Sequence, residues 1–205
     1  MNTQSLQYLL DHAPWLSHYR GQVCALDLLP QQKSSDTRMF IVNTDPSDRP
    51  GEHWVAVFFH DNKEAYYFDS YGLPPWNNEI LDFLEKNSSR WTFNDHQIQS
   101  FYSRLCGQYC IFTLDALAKG YDIGSYLQEQ QLDNTYVNKD NRLADGQFLK
   151  NDYHIEKWFK QNYETIYHQP IGHYRTKHCQ ICKVKDYIYE TRKPKVNGKI
   201  INNYC

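Results

Sequence analysis

Hydrophobic positions along the chain follow two rhythms, one near 3.6 residues and one of two, and these separate helical segments from a strand-rich middle. Leu6, Leu9 and Leu10 share one face of a helix predicted over residues 3–12. Residues 13–38, with Pro14, Gly21, Pro30 and the polar stretch Gln31 to Thr37, read as loop. Met39–Asn43, His53–Phe59 and Ala65–Asp69 read as short strands. Asp45–Gly51 is rich in turn residues, and His60–Glu64 is short and polar enough to close a hairpin. Pro74-Pro75 leads into a helix over Asn77–Lys86, whose buried stripe is Ile80, Leu81, Phe83 and Leu84. Trp91–Phe93 and Gln97–Gln99 are candidate strand pieces. A strongly apolar helix spans Leu105–Lys119 and ends at Gly120, and helices over 122–131 and 143–165 follow. The expectation is an α+β fold, a central mixed or antiparallel sheet packed against helices.

At 205 residues, 40% hydrophobic and 22% charged, the chain is sized and composed for one large globular domain rather than a disordered segment. No run approaches the roughly 18 apolar residues of a membrane span. Met1-Asn2-Thr3-Gln4 lacks the basic and apolar regions of an export signal, so an intracellular setting is expected. Six cysteines, unevenly placed, then read as thiols in a reducing compartment rather than a disulfide framework. The net charge of −2 excludes a globally basic nucleic-acid binder. Charge is nevertheless uneven: residues 174–200 hold eight basic side chains against two acidic ones, about +6. The expected division is a domain over 1–170 and a basic, cysteine-containing tail over 171–205. Cys179 and Cys182 form half a zinc site; with no second close pair, no metal is expected there.

Three local patterns carry chemistry jointly. His53 opens a strand after the turn Gly51-Glu52; Asp69 stands where the next strand runs out into Ser70-Tyr71-Gly72; Cys106 opens the apolar helix, followed by Gly107. Pairing the two strands about a turn centred near Asp61 sets residue 53 opposite residue 69, on one face. Asp69 can then fix the imidazole tautomer and leave the other ring nitrogen for a thiol. A helix N-terminus favours the thiolate, and an imidazolium favours it further. Gly107 would let a substrate backbone approach. Taken singly, each residue has a plainer reading: a satisfied strand histidine, a turn carboxylate, a small buried hydrophobe.

The segments Phe40-Ile41-Val42-Asn43-Thr44, Gly51-Glu52-His53-Trp54, Tyr67-Phe68-Asp69-Ser70-Tyr71-Gly72, Gln99 and Cys106-Gly107-Gln108-Tyr109-Cys110 resemble the adenovirus protease (adenain) family, including enzymes of the type carried by virus-like mobile elements. More distantly they resemble the proteases of SUMO and other ubiquitin-like proteins. The resemblance covers residues 40–120 and, in outline, 1–165. It implies a papain-like cysteine endopeptidase with Cys106 as nucleophile, His53 as general base and acid, Asp69 as orienting acid and Gln99 as oxyanion donor, with Trp54 walling the site. Without it, Gln99 would read as a solvent-facing strand residue. It implies maturation of viral capsid or core precursors, cleaved at Gly-containing sites by a monomer working in the host nucleus or cytoplasm and packaged in the virion. The alternative is a SUMO or ubiquitin-like-protein isopeptidase. The chemistry itself needs no cofactor, but the resemblance implies DNA as a cofactor, met here by the basic residues of 174–199. The adenovirus enzymes also take a disulfide-linked activating peptide; the comparable position here is Ser88, so linkage of that kind is not expected. Cys110, one turn beyond Cys106, is expected to pack rather than react.

Overall fold

A computed structural model describes residues 1–60, 63–130, 132 and 145–163, together with two short strand pieces at 195–196 and 199–200. The first unit, Met1–Arg175, contains α1 (Thr3–His12), β1 (Arg20–Ala25), β2 (Thr37–Asn43), β3 (Trp54–Phe59), β4 (Glu64–Phe68), α2 (Asn78–Asn87), β5 (Arg90–Phe93), α3 (Cys106–Ala118), α4 (Ile123–Glu129) and α5 (Asp145–Tyr163). The strands form one sheet in chain order, β1 to β5. Pairing is parallel at both margins, β1 with β2 and β4 with β5, and antiparallel through β2, β3 and β4. The fold is α+β with a mixed sheet, as the pattern predicts.

Both faces of the sheet are covered, and the period of two along β3 shows how. Trp54, Ala56 and Phe58 join Leu6, Leu9, Leu10 and the residues of α3, α4 and α5 in one buried cluster. Val55, Val57 and Phe59 join Ile80, Phe83 and Leu84 of α2 in another. Phe40, Phe59 and Phe83 meet edge to face at centroid distances of 4.8–6.1 Å, a favoured arrangement of ring quadrupoles. α3 is buried along its whole length, which explains why its sequence is apolar all round.

Two expectations are corrected. Residues 20–25, read as loop, form the edge strand β1. Its alternation is weak because burial reaches only Val23 and Cys24 fully. The strand is held from outside the ladder: Gln7 of α1 donates to the Gly21 carbonyl (3.1 Å) and accepts from the Val23 amide (2.8 Å). That side-chain amide substitutes for a neighbouring strand and blunts the free edge. Gln97–Gln99, read as a strand piece, is irregular. Its amides at Ile98 and Gln99 both donate to the Ser70 carbonyl, at 2.9 and 3.0 Å, which is a loop clasp and not a ladder.

The second unit, Thr176–Cys205, contains an antiparallel pair, β6 (Lys195–Val196) with β7 (Lys199–Ile200). The readings placed on the rest of the tail, including Cys179, Cys182 and most of its basic residues, fall outside the described residues. Among the described residues no helix is long and apolar enough to cross a membrane.

Candidate active site

His53 precedes β3 and Asp69 follows β4, so both sit where the central antiparallel pair opens. The register differs from the predicted one by two: Ala56 faces Phe68 and Phe58 faces Tyr66, which on continuation sets residue 53 opposite 71. An even shift keeps every side chain on its face. Asp69 is therefore the diagonal neighbour of His53, and Tyr71 is the direct one. The His53 and Tyr71 rings stack at 4.7 Å between centroids. The His53 Nε2–H donates to Asp69 Oδ1 at 2.8 Å, with both side chains fully buried.

Asp69 is fixed from several sides. Its Oδ1 also accepts from the Tyr71 amide at 2.8 Å. Asn94, just beyond β5, accepts from the Asp69 amide at 2.9 Å and donates to its carbonyl at 2.6 Å. Gly72 closes the turn with φ +66°, and a Cβ there would lie 2.3 Å from the His96 carbonyl carbon. Only glycine suits both constraints.

Cys106 is the first residue of α3, and Leu105 before it offers no side-chain cap. The first-turn amides of a helix have no partner within it, so they can serve a thiolate or a ligand. Cys106, after Asp69, favours the protonated form of His53. Burial alone would depress the imidazole pKa, but the Asp69 carboxylate and then Cys106 outweigh it and raise it to about 9. With Nε2 on Asp69, Nδ1 is the ring nitrogen left for the thiol; it has no other partner in the described structure. The remaining described thiols are poor rivals. Burial raises Cys110 well above the ordinary thiol range, and its Sγ–H donates to the Trp54 carbonyl at 3.4 Å. Burial, aided by Asp27, raises Cys24 to about 12.

The other site residues are placed less simply. Gln99 is fully buried, and both ends of its amide are engaged: Oε1 accepts from Ser70 Oγ at 2.6 Å and Nε2 donates to the Ser103 carbonyl at 3.2 Å. One N–H of that amide remains beyond the Ser103 bond. Trp54 is buried, and its Nε1–H donates to the Met1 carbonyl at 3.3 Å. A Cβ on Gly107 would lie 3.4 Å from both Met1 Cβ and Leu6 Cδ2. Gly107 therefore faces the N-terminal segment, not the open groove expected of it. The sequence assigns no role to Asn94, Tyr71 or Ser70, although the last two lie in the motif around Asp69. Tyr71 was within reach, since a register two residues longer puts that residue across from His53.

No protein-family profile matches the chain. A curated relative, the protease of bovine adenovirus C serotype 10, is 26% identical over 143 residues, covering 62% of this chain and 67% of its own length. Two crystal structures of the ASFV pS273R protease align at 20% and 13% identity, with TM-scores of 0.35 and 0.44. They cover 58% and 73% of this chain, which spans only 43% and 65% of theirs. In sequence the chain is adenain-like, as its motifs predict.

Proposed function

We propose that this chain is a cysteine endopeptidase of the adenain-like kind, acting on precursor proteins of a DNA virus or virus-derived element. The observation that carries the reading is the buried 2.8 Å contact of His53 with Asp69, with Cys106 at the head of α3 acting on the same imidazole. The His53 pKa, raised to about 9, favours imidazolium at neutral pH, and an imidazolium beside a helix-start thiol favours the thiolate. The thiolate adds to the scissile carbonyl carbon, forming a C–S bond and an oxyanion. The Cys106 amide and the remaining N–H of Gln99 serve that oxyanion. Collapse expels the amine, which takes its proton from His53. Neutral His53 then activates water to hydrolyse the thioester, and the proton returns through the imidazole. Asp69 holds the tautomer throughout.

Cleavage falls at Gly-containing sites, and the basic residues of 174–199 bind DNA through phosphates, in a manner that weakens steeply with salt. A thiol-reactive, electrophilic peptidyl probe tests the chemistry: it should label the wild type at Cys106 and lose that label in Cys106→Ala. Offering Gly-containing precursor peptides beside ubiquitin-like conjugates tests the substrate class. Cleavage of conjugates alone would overturn the endopeptidase reading.

A further inference from the structure

Asp152 lies on α5, more than forty residues beyond Cys106, yet is fully buried against the loop that carries Gln99. Its Oδ1 accepts from the Ser100 amide at 3.3 Å and from the Tyr109 hydroxyl at 3.0 Å. Tyr109 sits one turn into α3, below Cys106, and its hydroxyl also reaches the Ile98 carbonyl at 3.2 Å. The neighbouring Asn151 donates to that same carbonyl at 3.0 Å. Ser103 closes the loop, donating to the Ser100 carbonyl while its own carbonyl receives Gln99 Nε2. These polar ties between α5 and residues 98–103 fall on the Ile98 carbonyl and the Ser100 amide, the two residues adjoining Gln99. Burial of a carboxylate is costly unless hydrogen bonds compensate it; here burial raises the pKa to about 7, with Tyr109, Ser100 and Ser103 opposing the rise and Glu156 adding to it.

We infer that Asp152, with Asn151 beside it and Tyr109 as the bridge, is a positioning residue that holds the 98–103 loop so that Gln99 meets the oxyanion. The inference rests on the proposed role of Gln99. It also assigns α5 a part in catalysis although it touches no reacting atom. An alternative in which these bonds only stabilise the helix packing would affect the nucleophile and the loop together.

The test compares wild type, Asp152→Ala, Asp152→Asn and Tyr109→Phe in three measurements: kcat and KM on a cleavable peptide, the rate of Cys106 alkylation by iodoacetamide, and amide hydrogen exchange across residues 98–103. Alkylation needs the thiolate but no oxyanion donor. Asp152→Ala should lower kcat about tenfold or more with KM within about twofold, a fraction of the loss seen on deleting an oxyanion donor. Its alkylation rate should stay at the wild-type level, and exchange should accelerate at 98–103 but not in β2 or β3. Asp152→Asn, which keeps the accepting oxygen, should restore kcat. Tyr109→Phe should give a smaller fall of the same kind. Unchanged kcat in Asp152→Ala, or parallel loss of kcat and alkylation, would overturn the inference. If the wild type alkylates yet cleaves no peptide, the proposed function fails instead. Hydrogen exchange then decides this inference, and an unaltered 98–103 loop would reject it.

Discussion

The two halves of the candidate site are built in opposite ways. His53 and Asp69 hang from adjacent antiparallel strands and are braced by groups close to them in the fold: Tyr71 two residues on, and Asn94 at the end of the next strand. Cys106 and Gln99 hang from a helix start and an irregular loop, and the bracing of the Gln99 loop comes from α5, some fifty residues later in the chain. The strand half gains its geometry from a ladder whose period tolerates an even register error. The helix half has no such repeat, and its geometry depends on individual side-chain bonds. Errors and mutations should therefore act differently on the two halves.

The largest effect is expected at the junction of both. Cys106→Ser should lower kcat by about a thousandfold or more, because a hydroxyl in a site tuned for thiolate is a far weaker nucleophile. Steady-state peptide cleavage reads this directly, and substantial residual activity would shift attention to Cys110. Within the strand half, Asp69→Asn should keep the fold and cut kcat by about 10²–10⁴-fold, as the wrong tautomer becomes favoured. It should also shift the pH profile. The raised His53 pKa, about 9, keeps the imidazolium populated up to that pH, so activity in the wild type fades as pH rises through it. Without the carboxylate the same alkaline limb should appear at lower pH.

Asn94→Ala should sharpen the contrast more gently. It removes the amide that accepts from and donates to the Asp69 backbone, so a loss of about 1–3 kcal/mol in stability is expected, together with a roughly tenfold fall in kcat. Denaturant unfolding and peptide cleavage measure the two separately. A fall in stability with no change in kcat would mean that Asp69 is held well enough by the Tyr71 amide alone.

How far the sequence discloses each half follows from the same difference. The pairing of His53 with Asp69 is legible because both lie on short, strongly apolar strands joined by a polar loop. Parity places them on one face even though the register is longer by two. The edge strand β1 is hidden because Gln7, and no alternating pattern, secures it. Gln99 looks like a strand residue because Gln97-Ile98-Gln99 alternates, yet the backbone amides of Ile98 and Gln99 both meet the Ser70 carbonyl. The α5 ties are invisible in sequence: Asn151 and Asp152 interrupt the helix's apolar stripe and resemble solvent-facing residues, but both are buried.

The smallest effect concerns stability and pH in the helix half. Burial raises the Asp152 pKa to about 7, above the ordinary carboxylate value, so the folded state holds this proton more tightly than the unfolded one. Its contribution is fully present below about pH 4 and is lost as pH rises through about 7. Asp152→Asn should accordingly be about 1–3 kcal/mol more stable than wild type at pH 8, and the gap should close toward pH 4. Urea unfolding at the two pH values measures it. An equal or wider gap at the lower pH would place the cost of this side chain elsewhere.

The central claim is that Cys106 and His53 share a proton under the control of Asp69. Its most direct measurement is the rate of Cys106 alkylation by iodoacetamide between pH 5.5 and 9.5, with the modified residue identified by peptide mapping, in wild type and in Asp69→Asn. A thiolate stabilised by imidazolium reacts almost independently of pH through the neutral range, so the wild-type rate at pH 6 should lie within about tenfold of its value at pH 8.5. In Asp69→Asn the rate at pH 6 should drop well below that. A wild-type rate that climbs tenfold per pH unit up to about 8.5, as for an unassisted thiol, or labelling that maps to Cys110, would contradict the account.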